Sequence, residues 1–184
     1  CVEPQKAGKT EGWHDAAFFN MCRPLELVFA NGMDKGEIVG IPTGDVTQMK
    51  SFEEFFDAYK KQMEYCISLL VNADNAIDVA HAERCPLPFL SCMIDDCLKE
   101  GRSVQEGGAV YNFTGPQGFG IANMADGLFA IRKLVYEEKK VSMEEFKEAL
   151  AWNYDKGLDA QSAGDMTEMI MKAMQKAGKE ADAS

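Results

Sequence analysis

Gly107-Gly108-Ala109-Val110-Tyr111-Asn112-Phe113 is the run on which the fold class turns. It is the best strand candidate in a chain of 184 residues that otherwise reads as helices. Its valine, tyrosine and phenylalanine suit a pleated, half-buried surface. The residues that follow, 114 to 120, hold Gly115, Pro116, Gly118 and Gly120 and predict a loop. Just upstream, Pro88 opens a predicted helix through Leu90, Met93, Ile94, Cys97 and Leu98, which Gly101 ends. Cys85-Pro86-Leu87-Pro88 must break the helix before it, because proline disfavours helical geometry in the residue that precedes it.

That earlier helix begins at the capping box Ser51-Phe52-Glu53-Glu54. Its apolar face carries Phe52, Phe55, Tyr59, Met63, Cys66, Ile67 and Leu70, and the pattern continues past Asn75 into Ala82. Downstream of the loop, helices are expected from Ile121 to Glu138, from a cap at Ser142-Met143-Glu144-Glu145, and from Asp165 to Gly178. Residues 179–184 read as a frayed tail. Residues 33–50 are turn-rich, with at most a short extended piece at Ile38-Val39.

At the N-terminal end, Pro4, Gly8 and Gly12 predict an irregular loop over residues 1–14. Phe18, Cys22, Leu25 and Phe29 then recur at three or four residues, predicting a helix with Asp15 as N-cap, a kink or break at Pro24 and a stop at Asn31-Gly32. Six helices with one or two strands read either as a mostly α chain or as one arc of a larger α/β barrel. Periodicity alone does not choose between them.

The formal charge of −11 opposes binding to nucleic acid, which needs a basic surface, and adsorption to anionic membranes. No apolar run approaches the roughly 20 residues a membrane span needs. The six cysteines sit in a chain rich enough in core residues to need no disulfide staples. Cys22, Cys66, Cys92 and Cys97 fall among apolar neighbours and read as small hydrophobes, reduced thiols of a cytoplasmic protein. His81, Cys85, Cys92 and Cys97 lack the close cysteine pairs of zinc modules, and His81, on an alanine-rich helix, reads as a satisfied core histidine.

Cys1 and Glu3 are spaced i, i+2, so in an extended segment a thiol and a carboxylate share one face. Alone, that spacing says little. With its context it says more: Cys1-Val2-Glu3-Pro4-Gln5-Lys6, then Gly8-Lys9-Thr10-Glu11-Gly12-Trp13-His14-Asp15, then Phe18-Phe19-Asn20. This succession resembles the active-site cysteine loop of the glycyl radical enzymes, the pyruvate formate-lyase-like superfamily. Ala80-His81-Ala82-Glu83-Arg84 with Pro86-Leu87-Pro88-Phe89 resembles the same enzymes. So does Gly107-Gly108-Ala109 with Tyr111-Asn112-Phe113 and Gly115-Pro116-Gln117-Gly118. The likeness covers residues 1 to 155 and is nearest to the dehydratase branch acting on glycerol and propanediol.

The resemblance implies an α/β fold, a helix-rich partial arc of the ten-stranded glycyl radical enzyme barrel, with residues 1–184 part of a single domain. It implies that Cys1 becomes a thiyl radical and removes hydrogen from a hydroxyl-bearing carbon, while Glu3 takes the hydroxyl proton. It implies that Asp15 contacts a substrate hydroxyl, in addition to or instead of the N-cap role. It implies for His14 a place in the substrate-binding wall, with a structural or supporting role as the other reading. Phe18 stands where choline-cleaving relatives prefer tyrosine, which favours a diol. No cofactor is expected to bind this chain directly. The glycyl radical itself, in an arginine-valine-glycine-tyrosine loop absent from this sequence, is expected beyond Ser184, installed by a radical S-adenosylmethionine activase. The parent is expected to be a homodimer acting on a small hydroxyl compound, in the cytoplasm or a bacterial microcompartment, and the fragment alone to be inactive. Isethionate sulfite-lyase and choline trimethylamine-lyase activities follow the same radical logic. An N-terminal-nucleophile hydrolase using Cys1 and a noncatalytic helical domain are the readings from other classes.

Overall fold

The computed structural model describes residues 3–152. Cys1, the helix expected from Asp165 and the tail from Lys179 lie outside the described residues. The chain divides into two compact units, one formed by residues up to Asn20 with Ile67–Phe119, the other by Met21–Cys66 with the residues from Gly120 onward.

In the first unit, strand β1 (Thr10–Asn20) lies parallel to a strand at Tyr111–Phe119. The partners are separated by about a hundred residues of chain, as a parallel pair requires of its crossover. This ladder decides for α/β over mostly α. It also corrects the expectations at both of its strands. The expected loop over 1–14 and the helix from Asp15 give way to an extended segment from Thr10 to Asn20, and Asp15 is no helix N-cap. Phe18 belongs to the strand, whereas Leu25 and Phe29 belong to helix α1 (Arg23–Phe29). Their common spacing joined two elements into one apparent pattern. Pro24 sits in the first turn of α1, where its missing N–H costs nothing, and kinks no helix.

At the other strand, Gly107 closes a helical turn, Val104–Glu106, where the Ser103 N–H donates to the Glu106 carboxylate at 2.8 Å. The strand therefore starts at Tyr111, whose N–H donates to the Lys9 carbonyl at 3.0 Å. It then runs through the expected loop as far as Phe119. Proline is tolerated there because Pro116 falls where the register breaks and no ladder N–H is called for.

The second unit begins with α1 and a small hairpin, β2 (Met33–Asp34) with β3 (Glu37–Ile38). Its two-residue turn, Lys35-Gly36, has both φ angles positive, at 47° and 87°. Helix α2 (Phe52–Arg84) starts where the capping box placed it: the Ser51 hydroxyl accepts from the Glu54 N–H at 3.2 Å. The division between the units falls within this helix. Phe55, Ala58 and Tyr59 on its first half join Val28, Val46, Leu128, Ile131, Val141, Met143 and Phe146 in one buried cluster. Phe29 packs into it, tilted against Phe55 and stacked on Phe146.

The helix expected over Pro88–Gly101 is instead two short pieces, α3 (Pro88–Ser91) and α4 (Cys97–Glu100). Between them Asp95 donates its N–H to the Gly8 carbonyl at 2.7 Å and pairs with Lys9 at 3.3 Å, while Asp96 turns to φ 74°. A tertiary bond has outcompeted the local helix. The strand at Tyr111–Phe119 is β4. After it, α5 (Ile121–Ile131) passes into a π-helical turn, Arg132–Glu137, and α6 (Met143–Trp152) follows the Ser142 cap. In that cap Ser142 and Glu145 exchange bonds of 2.8 and 3.2 Å.

Candidate functional site

Three of the expected site residues, His14, Asp15 and Phe18, stand together on β1 at one irregularity. His14 is paired with Gly115 and Phe18 with Gln117, so residues 15 to 17 face only Pro116. A bulge of this kind bends a strand and re-aims its side chains. Asp15 is the residue that absorbs it, with φ at 53°, a left-handed conformation uncommon outside glycine but better tolerated by aspartate than by most residues.

The Asp15 carboxylate accepts a hydrogen bond from the Gln117 side-chain amide. Phe18 projects outward and is 64% exposed, so its ring is available to line a ligand cavity or a neighbouring segment. His14 is held differently. Its Nδ1 lies 3.0 Å from the Gly12 carbonyl, an acceptor, which requires the proton on Nδ1. The ring meets Phe113 edge to face, with centroids 4.8 Å apart. Nε2 is buried and has no hydrogen-bond partner among the described residues. Gly12 is required here: a Cβ would stand 2.6 Å from His14 Cε1 and press into the Phe113 ring.

Glu3 lies on the exposed segment that leads into β1. That segment tightens into a turn at Lys6–Thr10, where the Lys6 N–H donates to the Thr10 hydroxyl at 2.9 Å. Cys1 is outside the described residues. Of the other thiols, burial pushes Cys22, Cys66 and Cys97 up, which leaves them poor nucleophiles and fits their reading as small hydrophobes. Cys92, which the sequence reads as a small hydrophobe, is exposed instead, and among the described residues no group of three His, Cys, Asp or Glu side chains is placed to hold a metal ion. No helix among them is long and apolar enough to cross a membrane.

Beside the ladder, a cavity of about 270 Å³ is lined by Glu11, Trp13, Asp78, His81, Asn112 and Thr114, among others. His81 is half-buried and packs edge-on against Trp13, with centroids 5.0 Å apart. Thr114 donates its hydroxyl to Asp78 at 2.6 Å, tying β4 to α2. In the sequence Gln117 is one residue of the motif Gly115-Pro116-Gln117-Gly118, and Asp78 is one of several acidic residues on α2. Both gain meaning only from pairing across the fold.

A profile of the pyruvate formate lyase-like family matches residues 1–183. A solved structure concerned with 1,2-propanediol dehydration in Roseburia inulinivorans is 65% identical, with a TM-score of 0.86, over 91% of this chain and 21% of that one. The glycerol-bound form of the B12-independent glycerol dehydratase from Clostridium butyricum is 56% identical, with a TM-score of 0.80, over 82% of this chain and 19% of that one. The (2S)-3-sulfopropanediol dehydratase of Klebsiella oxytoca is 40% identical over 84% of this chain and 19% of its own length. The chain thus spans about a fifth of the length of the relatives it matches. Its helix-rich α/β arrangement is an arc of their barrel. With a family profile covering almost every residue and two solved folds superposing over most of its length, the chain belongs to the pyruvate formate lyase-like family, the glycyl radical enzymes.

Proposed function

We propose that the full-length protein containing this chain removes water from a small diol, glycerol or propane-1,2-diol. The supporting observation is the gradient of likeness: 65% and 56% identity to structures concerned with propanediol and glycerol dehydration, against 40% to a dehydratase of a sulfonated diol. Residues 1–184 are read as part of a single domain of a homodimeric cytoplasmic enzyme.

A backbone glycyl radical elsewhere in the protein, installed by a radical S-adenosylmethionine activase, supplies the oxidising equivalent. Cys1, as thiyl, takes a hydrogen atom from the carbon that bears the first hydroxyl and becomes a thiol. Glu3 accepts that hydroxyl's proton; a positioned carboxylate in this role contributes typically about 10²–10⁴-fold. The electron-rich carbon then expels the neighbouring hydroxyl, which takes up a proton and leaves as water. The resulting product radical recovers its hydrogen atom from Cys1, and the aldehyde is released. Asp15 holds a substrate hydroxyl, with His14 and Phe18 completing the wall.

The test uses the full-length protein, activated anaerobically and offered glycerol, propane-1,2-diol, 3-sulfopropanediol, isethionate and choline. Aldehyde and water from the first two are expected. Sulfite, trimethylamine or turnover of the sulfonated diol alone would move the assignment to that chemistry. A Cys1→Ala variant is expected to form the glycyl radical and make no product; turnover by that variant would overturn the mechanism.

A further inference from the structure

The break in the β1–β4 ladder leaves one interaction that the family mechanism does not use. Asp15 is extruded from the ladder at φ 53°, and a side chain so placed needs a partner to select one orientation. Among the described residues, the hydrogen-bond partner of its carboxylate is Gln117. An ionised carboxylate is acceptor-only, so Gln117 must offer its amide N–H and not its oxygen. Gln117 is itself fixed, since its backbone is the first to re-enter the ladder after Pro116, opposite Phe18. Pro116, lacking an N–H, enforces the gap that residues 15 to 17 of β1 fill, two more than β4 supplies there.

We propose that Gln117 is the positioning residue for Asp15, holding carboxylate oxygen Oδ1 so that Oδ2 is the one turned to a substrate hydroxyl. The identity of the substrate rests on the dehydratase reading above; the hold on the carboxylate does not. Because the hold acts through Asp15, removing it disturbs the substrate contact without touching radical formation. A neutral donor to a charged acceptor sets the scale: loss of such a bond is expected to raise KM for the diol by roughly tenfold or more.

The experiment uses the full-length protein with Gln117→Ala, Gln117→Glu, Asp15→Ala and the Asp15→Ala/Gln117→Ala pair. Glycyl radical content by electron paramagnetic resonance should match wild type throughout. Gln117→Ala should raise KM more than it lowers kcat. The pair should be no worse than Asp15→Ala alone, because both substitutions remove one device. Gln117→Glu fills the same volume, which preserves the strand if alanine disturbs it, and sets a second carboxylate against the first. Its defect should exceed that of alanine at alkaline pH and shrink as pH falls and the new side chain gains an O–H to donate. A role in packing alone would not produce that pH profile. Wild-type KM in both Gln117 variants, or independent, multiplying effects in the pair, would overturn the proposal. A crystal structure of Gln117→Ala gives an answer that needs no substrate: the Asp15 carboxylate should rotate away from its wild-type position, and an unmoved carboxylate would overturn the proposal. If wild-type protein turns over no diol, the dehydratase reading fails and this structural result still decides the role of Gln117.

Discussion

The two units of this chain are held together by different means. The unit built on α1, α5, α6 and the first half of α2 has, among the described residues, a cluster of ten buried hydrophobic side chains that includes aromatic rings. The unit that carries the candidate site has, among the described residues, a cluster of only three, Cys97, Val104 and Ala109. Both units leave large apolar side chains in the open, Phe89 at 79% exposure here and Ile38 at 79% in the other. The shape of the unit with the candidate site comes from the β1–β4 ladder and from polar ties: Thr114 to Asp78, Asp15 to Gln117, Asp95 to Gly8. The lesson is that the candidate residues on β1, His14 and Asp15, are aimed by backbone geometry and hydrogen bonds, which are directional. Hydrophobic packing, which is non-directional, stabilises the other unit.

The sharpest way to break this contrast is to empty the larger core. Phe55 is fully buried, and Phe55→Ala is expected to cost about 3–5 kcal/mol. Val104→Ala in the smaller cluster should cost about 2 kcal/mol. Peptide-resolved hydrogen exchange on the full-length protein should show protection lost over residues 52–66 in the first variant. Equal losses from the two substitutions would erase the distinction.

Alkali should act on the same unit. Burial pushes Tyr59 and Tyr136 up to about 12 from an ordinary value of 10, because the phenolate is poorly solvated where these rings sit. A folded pKa above the unfolded one means the stabilisation is complete below pH 10 and is lost as pH rises towards 12. Protection over residues 52–66 should therefore fall in that window. A Tyr59→Phe/Tyr136→Phe protein should hold it; the same loss in that double variant would assign the effect elsewhere.

A smaller, complementary effect is expected in the other unit. Gly12→Ala forces a methyl towards Phe113 and His14 and should cost about 1–3 kcal/mol. Exchange should quicken over residues 10–20 and 111–119 and stay unchanged over 52–66. Unaltered protection of β4 would mean that the ladder does not depend on this close approach. The smallest effect belongs to a helix end: Ser142→Ala removes the α6 cap and is expected to cost about 1 kcal/mol, read as faster exchange at residues 143–147.

What could be read in the chain without its fold was local or family-borne. The Ser51 and Ser142 caps, the long α2 and its proline break follow from the hydrogen-bonding and steric rules of single residues, and all stand. The motif from Cys1 to Asn20 carried the family, because that order of residues is specific whatever secondary structure it adopts. The conformation of the same motif was not legible. Whether Thr10–Asn20 is helix or strand depends on backbone partners at Tyr111–Phe119, and no local pattern encodes a ladder between segments a hundred residues apart. Nor could position in the chain single out Gln117 or Asp78. Sequence by itself determined the family this segment belongs to; tertiary structure alone decided how its side chains are aimed. The reason is that parallel strand pairing, a bulge opposite Pro116 and a left-handed Asp15 are satisfied only between residues distant in sequence.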